Sequence, residues 1–299
     1  MKVIKSITTT DSILVDSNIP EDEYPLWVVG TSYSVANRVI YNHVIYEAIL
    51  ANSSTTTPNL DETNWLSLGA TNRYRMFDTV ISNISSRVGG IEFTLTPYQV
   101  VDAVALLAVN AATVRVVVTD PVDGVVYDVT KVLRDTTGIV DYYSYFFSPL
   151  VSTYDNNTVI FNDLPSNRAT STITVHINSG SSAVSVGEVV YGKQSVVGRT
   201  NYNTAFGITS YSRKDVDEFG TTTVIKRKNS KYCDFDIDID NSNNAFVYRL
   251  FSDIDSVPCV FIGNSNMEEI IVYGFYKDFK ATITYPTVSK CTLRVEGLI

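Results

Sequence analysis

Residues that build disulfide, metal or redox chemistry are scarce in this sequence. Its three cysteines, Cys233, Cys259 and Cys291, are far apart, which predicts buried thiols in a reducing compartment rather than a disulfide framework or a CxxC metal site. Its two histidines, His43 and His176, lie in different predicted domains and lack the ligand spacing of a zinc site. We therefore expect structural or surface roles for both histidines, and no metal or other cofactor.

Positive charge and long apolar runs are also scarce. Lys and Arg number 23 against 32 Asp and Glu, a formal net charge of −9 that would repel a phosphate backbone, so direct nucleic-acid binding is not expected. The most apolar stretch, residues 100–118, is interrupted by Asp102, Asn110 and Arg115, and it falls short of the ~20 apolar residues of a membrane-spanning helix. The first residues contain no apolar core of signal-peptide length. These features predict neither membrane insertion nor export by that route.

Val, Ile, Thr, Tyr and Phe are abundant and form short runs separated by turn residues. This composition favours strands over helices. Residues 111–120 and 125–133 flank the sequence PVDG, whose Pro and Gly suit a tight reversal, so they predict a β-hairpin. Residues 97–108 (PYQVVDAVALLA) fit a helix and a buried strand equally well. The predicted fold class is all-β.

Breaks in the strand pattern divide the chain into four parts. Polar residues at 71–87 and a Gly-Ser spacer at 179–182 mark two of the boundaries. The first part is polar and suits an arm that orders on a neighbouring subunit. The predicted parts are an N-terminal arm (1–19), a small three-stranded aromatic module (20–70) and two β-sandwich-like domains (71–182 and 183–299).

Motifs for catalysis are missing from the sequence. It contains no GxSxG, HExxH or GxGxxG. Residues 187–194 (GEVVYGKQ) come within one residue of a phosphate-binding loop, but Gln194 replaces the Ser or Thr that would hold magnesium. Glu188, Asp217 and Glu218 are available acids for glycoside hydrolysis, which needs two carboxyl groups ~5–9 Å apart in a cleft. The prediction is a protein that is not an enzyme.

Charged residues form two local patterns. Aspartates alternate with apolar residues through 234–240, which places four carboxylates on one face of a strand. We interpret this face as solvated, with calcium binding as a weaker alternative because the EF-hand pattern fails. The basic cluster at 226–231 (KRKNSK) precedes it, and a turn within the cluster would bring opposite charges together on adjacent strands. A nucleic-acid site is the weaker interpretation of that cluster.

The segment 20–70 concentrates aromatic residues in a length too short for a large core. Stacked rings must therefore supply most of its burial. Trp27, Tyr33, a Tyr-x-Ala strand at Tyr46, Pro58 and Trp65 follow one another in an order that resembles chitin- and cellulose-binding modules. This resemblance makes the aromatic quartet of Trp27, Tyr33, Tyr46 and Trp65 the candidate carbohydrate-binding residues.

The module departs from its sugar-binding relatives at one place. Residues 49–52 (ILAN) stand where those relatives carry exposed aromatic residues that stack on pyranose rings. The interpretation favoured for the quartet is therefore that its rings form the core of the module itself. Contact with carbohydrate is the alternative.

Segments along most of the chain resemble a family of tailed-bacteriophage virion proteins. They include residues 69–78 (GATNRYRMFD), 143–147 (YSYFF), 273–279 (YGFYKDF) and 291–298 (CTLRVEGL). The resemblance implies a noncatalytic structural component of the tail, at its tip, baseplate or collar, assembled in the host cytoplasm as a symmetric homo-oligomeric ring. Its partners would be other phage tail proteins. The alternative is a receptor-recognition protein of the virion that binds a host surface glycan.

Overall fold

The computed structural model describes residues 1–133, 141–147, 157–165, 167–216 and 218–298. Strands make up most of the regular structure in these ranges, which confirms the predicted all-β class. The α-helices are α1 (Tyr142–Phe147) and α2 (Asn244–Asp253). Single turns of 3-10 helix cover Pro58–Leu60, Arg75–Phe77, Asn241–Asn243 and Glu268–Ile270.

The strands are numbered in chain order. The first ten are β1 (Lys2–Lys5), β2 (Leu14–Ser17), β3 (Arg38–Tyr41), β4 (Val44–Ala48), β5 (Trp65–Ala70), β6 (Ser85–Val88), β7 (Ile91–Leu95), β8 (Ala103–Val109), β9 (Thr113–Asp120) and β10 (Gly124–Val132). The next nine are β11 (Asn157–Phe161), β12 (Thr172–Asn178), β13 (Ala183–Val186), β14 (Glu188–Gly192), β15 (Gln194–Val196), β16 (Arg199–Thr200), β17 (Ala205–Ser210), β18 (Arg213–Val216) and β19 (Thr222–Ile225). The last four are β20 (Asn229–Asp240), β21 (Cys259–Ile262), β22 (Ile271–Ile283) and β23 (Val288–Gly297).

Most strands belong to three antiparallel sheets. The order in the eight-stranded sheet is β15-β1-β21-β22-β23-β20-β16, and β17 also pairs with β20. The five-stranded sheet has the order β10-β9-β12-β7-β2, and a three-stranded sheet has the order β11-β8-β14. Smaller sheets are formed by β3-β4-β5, β13-β6 and β18-β19. The predicted hairpin at 111–133 is confirmed as the β9-β10 pair.

Strand β8 lies between two cores because both of its faces are buried. Successive side chains of a strand point to opposite sides. Val104 and Leu106 join the core that the five-stranded sheet covers, whereas Ala105 and Leu107 join a core shared with β1, β21 and β22. The ambiguous stretch 97–108 therefore enters a strand, and that strand is apolar throughout because it has no solvent side.

Helix α2 covers the other face of the eight-stranded sheet. Its residues Val247 and Phe251 pack into a core with Phe235 and Phe261. Phe251 also stacks on Phe279, with ring centroids 4.4 Å apart. These elements thus form successive layers: the five-stranded sheet, the β11-β8-β14 sheet, the eight-stranded sheet and α2.

Residues 1–19, expected to form an arm, are part of these layers. Strand β1 lies inside the eight-stranded sheet between β15 and β21, and Val3 and Ile4 are buried on its opposite faces. Strand β2 is the edge strand of the five-stranded sheet. Polar neighbours surround these short apolar runs in the sequence, and their partner strands in the largest sheet are distant in the chain. The segment therefore orders within its own chain.

The two predicted β domains also meet at a different place from the expected boundary at 182/183. Strand β13 pairs with β6, and β14 pairs with β8. Residues 183–192 therefore add Val184, Val186 and Tyr191 to the core that the five-stranded sheet covers. After β14 the chain returns to the eight-stranded sheet at β15, which pairs with β1. The residue at this crossing is Gly192. Only glycine fits there, because a Cβ atom would clash with the backbone carbonyl oxygen of Lys5.

Candidate functional site

Within the aromatic quartet of the small module, Tyr46 and Trp65 are core residues of the three-stranded sheet, and Trp27 and Tyr33 pack against that core. Trp65 on β5 is 2% exposed and Tyr46 on β4 is 9% exposed, and both belong to the module's core. Tyr33 packs edge-on against Trp65, with ring centroids 5.0 Å apart. Trp27 packs edge-on against Tyr41 at 5.5 Å. Trp65 and Tyr46 therefore have no free ring face on which a sugar could stack.

The polar atoms of Trp27, Tyr33 and Trp65 are also turned toward the module. The Tyr33 hydroxyl accepts a hydrogen bond from the Val28 amide at 2.8 Å and donates one to the Val28 carbonyl oxygen at 3.2 Å. The indole nitrogens of Trp27 and Trp65 are buried and have no hydrogen-bond partner among the described residues. The packing supports the interpretation that these rings stabilise the module.

His43 connects the module to the rest of the chain. Asn42 and His43 form the two-residue turn between β3 and β4, with φ of 47° and 63°. The imidazole lies 2.7 Å from a carboxylate oxygen of Asp11 and 2.9 Å from one of Glu21, and it stacks on Tyr74 at 3.8 Å. His43 thus has a structural role. The second histidine, His176, lies on β12 beside Glu92 at 3.3 Å.

Of the acids considered for hydrolysis, Glu188 and Glu218 lie in different environments. Glu188 is buried on β14 and accepts a hydrogen bond from the Thr79 amide at 3.0 Å, whereas Glu218 is exposed. Burial, reinforced by the nearby Asp78 carboxylate, raises the pKa of Glu188 to about 9, so its carboxyl group is neutral at pH 7. Asp217 lies outside the described residues. The near-match to a phosphate-binding loop at 187–194 is strand, with no helix following it.

The alternating aspartates lie on β20 as predicted, but their partners differ from those expected. Asp234 lies 3.8 Å from Arg294, and Asp238 lies 3.4 Å from Lys290, both on β23. The basic cluster at 226–231 enters β20 from its N-terminal end instead of forming an adjacent strand, because β17 and β23 already flank this part of β20. The predicted pairing between the two charge patterns is therefore wrong.

Helix α1 presents an aromatic surface to solvent. Tyr142, Tyr143, Tyr145, Phe146 and Phe147 are between 66% and 86% exposed. Among the described residues, the ring contacts of these side chains are internal to the helix: the ring centroids of Tyr143 and Phe147 lie 5.0 Å apart, and those of Tyr145 and Phe146 lie 5.1 Å apart. We call these five side chains the α1 aromatic surface. In the sequence, this surface corresponds to a run of aromatic residues that lacks the apolar stripe by which a helix packs against a core.

Among the residues that the structure describes, no group of three or more His, Cys, Asp and Glu side chains is placed to hold a metal ion. None of the described helices has the length and apolar character needed to cross a bilayer. No family model matches the chain, and comparisons with curated proteins and with solved structures return no match.

Proposed function

We propose that this chain is a noncatalytic structural component of a bacteriophage tail, at its tip, baseplate or collar, and that it assembles as a symmetric oligomer. The observation that carries the assembly role is the α1 aromatic surface, with five rings at least 66% exposed on one short helix. Monomeric proteins rarely expose contiguous apolar patches, and Tyr and Phe are enriched in protein interfaces. A second subunit or a neighbouring tail protein would bury these rings.

The layered sheets suit this role mechanically. Close-packed cores hold the chain in one shape, so each copy presents the same surface. Symmetry then repeats one contact around a closed ring, which makes a weak pairwise contact sufficient for a stable assembly. The assignment to a phage tail rests on the sequence resemblance at residues 69–78, 143–147 and 273–279.

Sedimentation velocity of the full chain over a range of concentrations tests the assembly role. We expect a discrete oligomer that is lost when Tyr143 and Phe147 are both replaced by Ser. The control is Tyr248→Ser, which removes an aromatic ring that is equally exposed but lies on α2. A strict monomer at every concentration, in the presence and absence of the tail fraction of a virion lysate, would contradict the proposal.

Antibody labelling of intact particles tests the location. Negative-stain images should show the label on the tail, at a position that repeats around its axis. Label confined to the capsid, or absent from particles altogether, would contradict a tail component while leaving the oligomerisation result unaffected.

A second candidate function is recognition of a host surface glycan. The exposed rings of α1 favour it, because flat aromatic faces stack on sugar rings. The aromatic quartet of the module offers fewer such faces, because Tyr46 and Trp65 are buried and Trp27 and Tyr33 are half-buried. Glycan-array binding by the full chain that is lost in the Tyr143→Ser, Phe147→Ser variant, with no change in oligomeric mass, would favour this function over assembly.

A further inference from the structure

A cleft of about 930 Å³ opens where the eight-stranded sheet meets the loop at 81–84. Its wall is aliphatic at Ile81, Leu107, Ile271 and Leu298, which are buried or half-buried. Its volume is in the range of sites that hold a ligand or a short chain segment. We call it the basic cleft because of the residues along its rim.

Three consecutive cations, Lys226, Arg227 and Lys228, line the cleft. All three are exposed, and none forms an ion pair with a described residue. A fourth cation, Lys231, lies on the wall and donates a hydrogen bond to the backbone carbonyl of Glu268. The carboxylate of Glu268 also lines the cleft and, with Glu269, lies near Lys231, so the unpaired positive charge is that of Lys226, Arg227 and Lys228. In a chain with a formal net charge of −9, these three cations create a local field that attracts anions.

The backbone of the rim is held in place by the neighbouring segment. The Arg227 amide donates to the Ser212 hydroxyl at 3.1 Å, and that hydroxyl donates to the Arg227 carbonyl at 3.4 Å. The Tyr211 amide donates to the Lys228 carbonyl at 3.3 Å. Because these bonds fix the chain beside the cleft, the cations stay near its mouth without a carboxylate to anchor them.

The chemistry of the wall distinguishes between classes of anionic ligand. Sugars and nucleic-acid bases are bound by stacking on exposed aromatic rings. Among the described residues that line the cleft, the aromatic one is Tyr273, which is 4% exposed. Aliphatic walls instead suit the side chains of Leu, Ile and Val. The combination of an aliphatic wall and a cationic rim therefore favours a peptide over a glycan or a nucleic acid.

We propose that the basic cleft binds an extended segment of a partner protein in which carboxylate side chains alternate with aliphatic ones. The aliphatic side chains enter the cleft, and the carboxylates pair with Lys226, Arg227 and Lys228 at its rim. This contact lies outside the α1 aromatic surface and does not depend on oligomerisation of the chain.

Fluorescence anisotropy with labelled synthetic peptides tests the proposal on the full chain. The probe is a peptide of alternating Glu and Leu, compared with peptides of alternating Lys and Leu and of alternating Glu and Ser. We expect binding of the Glu-Leu peptide only, weakening as salt rises because the exposed charges are screened. Similar binding of all three peptides would overturn the proposal.

Two variants locate the binding. Replacing Lys226, Arg227 and Lys228 together by Glu should weaken binding of the Glu-Leu peptide at least about tenfold, the equivalent of about 1.4 kcal/mol in binding free energy. The charge-matched control replaces Lys193, Arg249 and Lys280 by Glu, at exposed positions away from the cleft, and should bind better than the rim variant. Ile84→Ser tests the apolar contribution at a partly exposed lining position, where loss of folding is not expected.

Two outcomes exclude the peptide assignment. Equal loss of affinity in the rim variant and the control would mean that net charge alone drives the binding. Tighter binding of oligothymidylate or oligogalacturonate than of the Glu-Leu peptide would assign the cleft to a nucleic acid or an acidic glycan. Circular dichroism of each variant, matched to the unmodified chain, confirms that the comparison is made on folded protein.

Discussion

Two aromatic-rich segments of this chain direct their rings in opposite directions. In the small module, Trp65 and Tyr46 are 2% and 9% exposed and hold a three-stranded sheet together. In α1, the five aromatic side chains are at least 66% exposed, and the ring contacts among described residues join them to one another. The module has few other residues with which to build a core, whereas the layered sheets have their own. Aromatic density alone therefore does not separate a structural segment from a binding surface; the burial of each ring does.

The largest expected effect follows from removing an inward ring. Replacing buried Trp with Ala costs about 3–5 kcal/mol, so Trp65→Ala should unfold the module locally, because its core is small. Hydrogen exchange should show loss of amide protection in β3, β4 and β5 while β8 and β9 keep theirs. The control Leu66→Ala changes the next residue on the same strand, which is 51% exposed, and should change stability by less than about 0.5 kcal/mol. Retained protection in Trp65→Ala would remove the distinction between the two segments.

The buried carboxyl group of Glu188 provides the next test. The pKa of Glu188 is raised to about 9 in the folded chain, against 4.5 for an unperturbed glutamate. Below both values the group is protonated whether or not the chain is folded; between them the unfolded chain releases the proton and the folded chain keeps it. The free energy of unfolding should therefore fall as pH rises, by at most about 1.4 kcal/mol per pH unit from this group.

Glu188→Gln removes that dependence while keeping an oxygen that can accept the hydrogen bond of the Thr79 amide. Urea titrations at several pH values between the two pKa values should show a flatter pH profile for the variant. Parallel profiles for the two proteins would mean that Glu188 ionises in the folded chain without cost.

The fold class could be predicted from the sequence because it depends on local composition. Short runs rich in Val, Ile and Thr predicted strands, and the PVDG turn predicted the β9-β10 hairpin. The position of β1 could not be predicted, since its partners β15 and β21 lie about two-thirds of the chain or more away and pairing at that separation leaves no local signal. The domain boundary was misplaced for the same reason, because β13 and β14 pair with strands far upstream.

The candidate site was predictable only in part. The order of Trp27, Tyr33, Tyr46 and Trp65 identified an aromatic module, but the direction of each ring depends on how three strands and a preceding segment pack around it. The basic cleft left even less signal. The cluster at 226–231 was visible, whereas Leu107 and Ile271 reach the same cleft from separate strands.

A smaller effect is expected at the contact between the module and the first domain. His43→Asn keeps a residue that tolerates positive φ and removes the contacts with Asp11, Glu21 and the Tyr74 ring. Because Asp11 is exposed, the loss should be about 1 kcal/mol or less. Hydrogen exchange in β3 and β4 should rise modestly without the loss of protection expected for Trp65→Ala. A change as large as that of Trp65→Ala would show that contacts with the first domain, and not its own aromatic core, keep the module folded.

The smallest effect on stability is expected for the exposed rings of the α1 aromatic surface. Neither Tyr143 nor Phe147 belongs to a core of the described layers, so in the double variant Tyr143→Ser, Phe147→Ser the free energy of unfolding of the separated chain should change by less than about 0.5 kcal/mol. The measurement is urea unfolding under dilute conditions, where subunits are apart. Together with a loss of the oligomer at higher concentration, an unchanged midpoint would assign these rings to contacts between chains. A large destabilisation of the dilute variant would instead show that the rings of α1, like those of the module, stabilise the fold of the single chain.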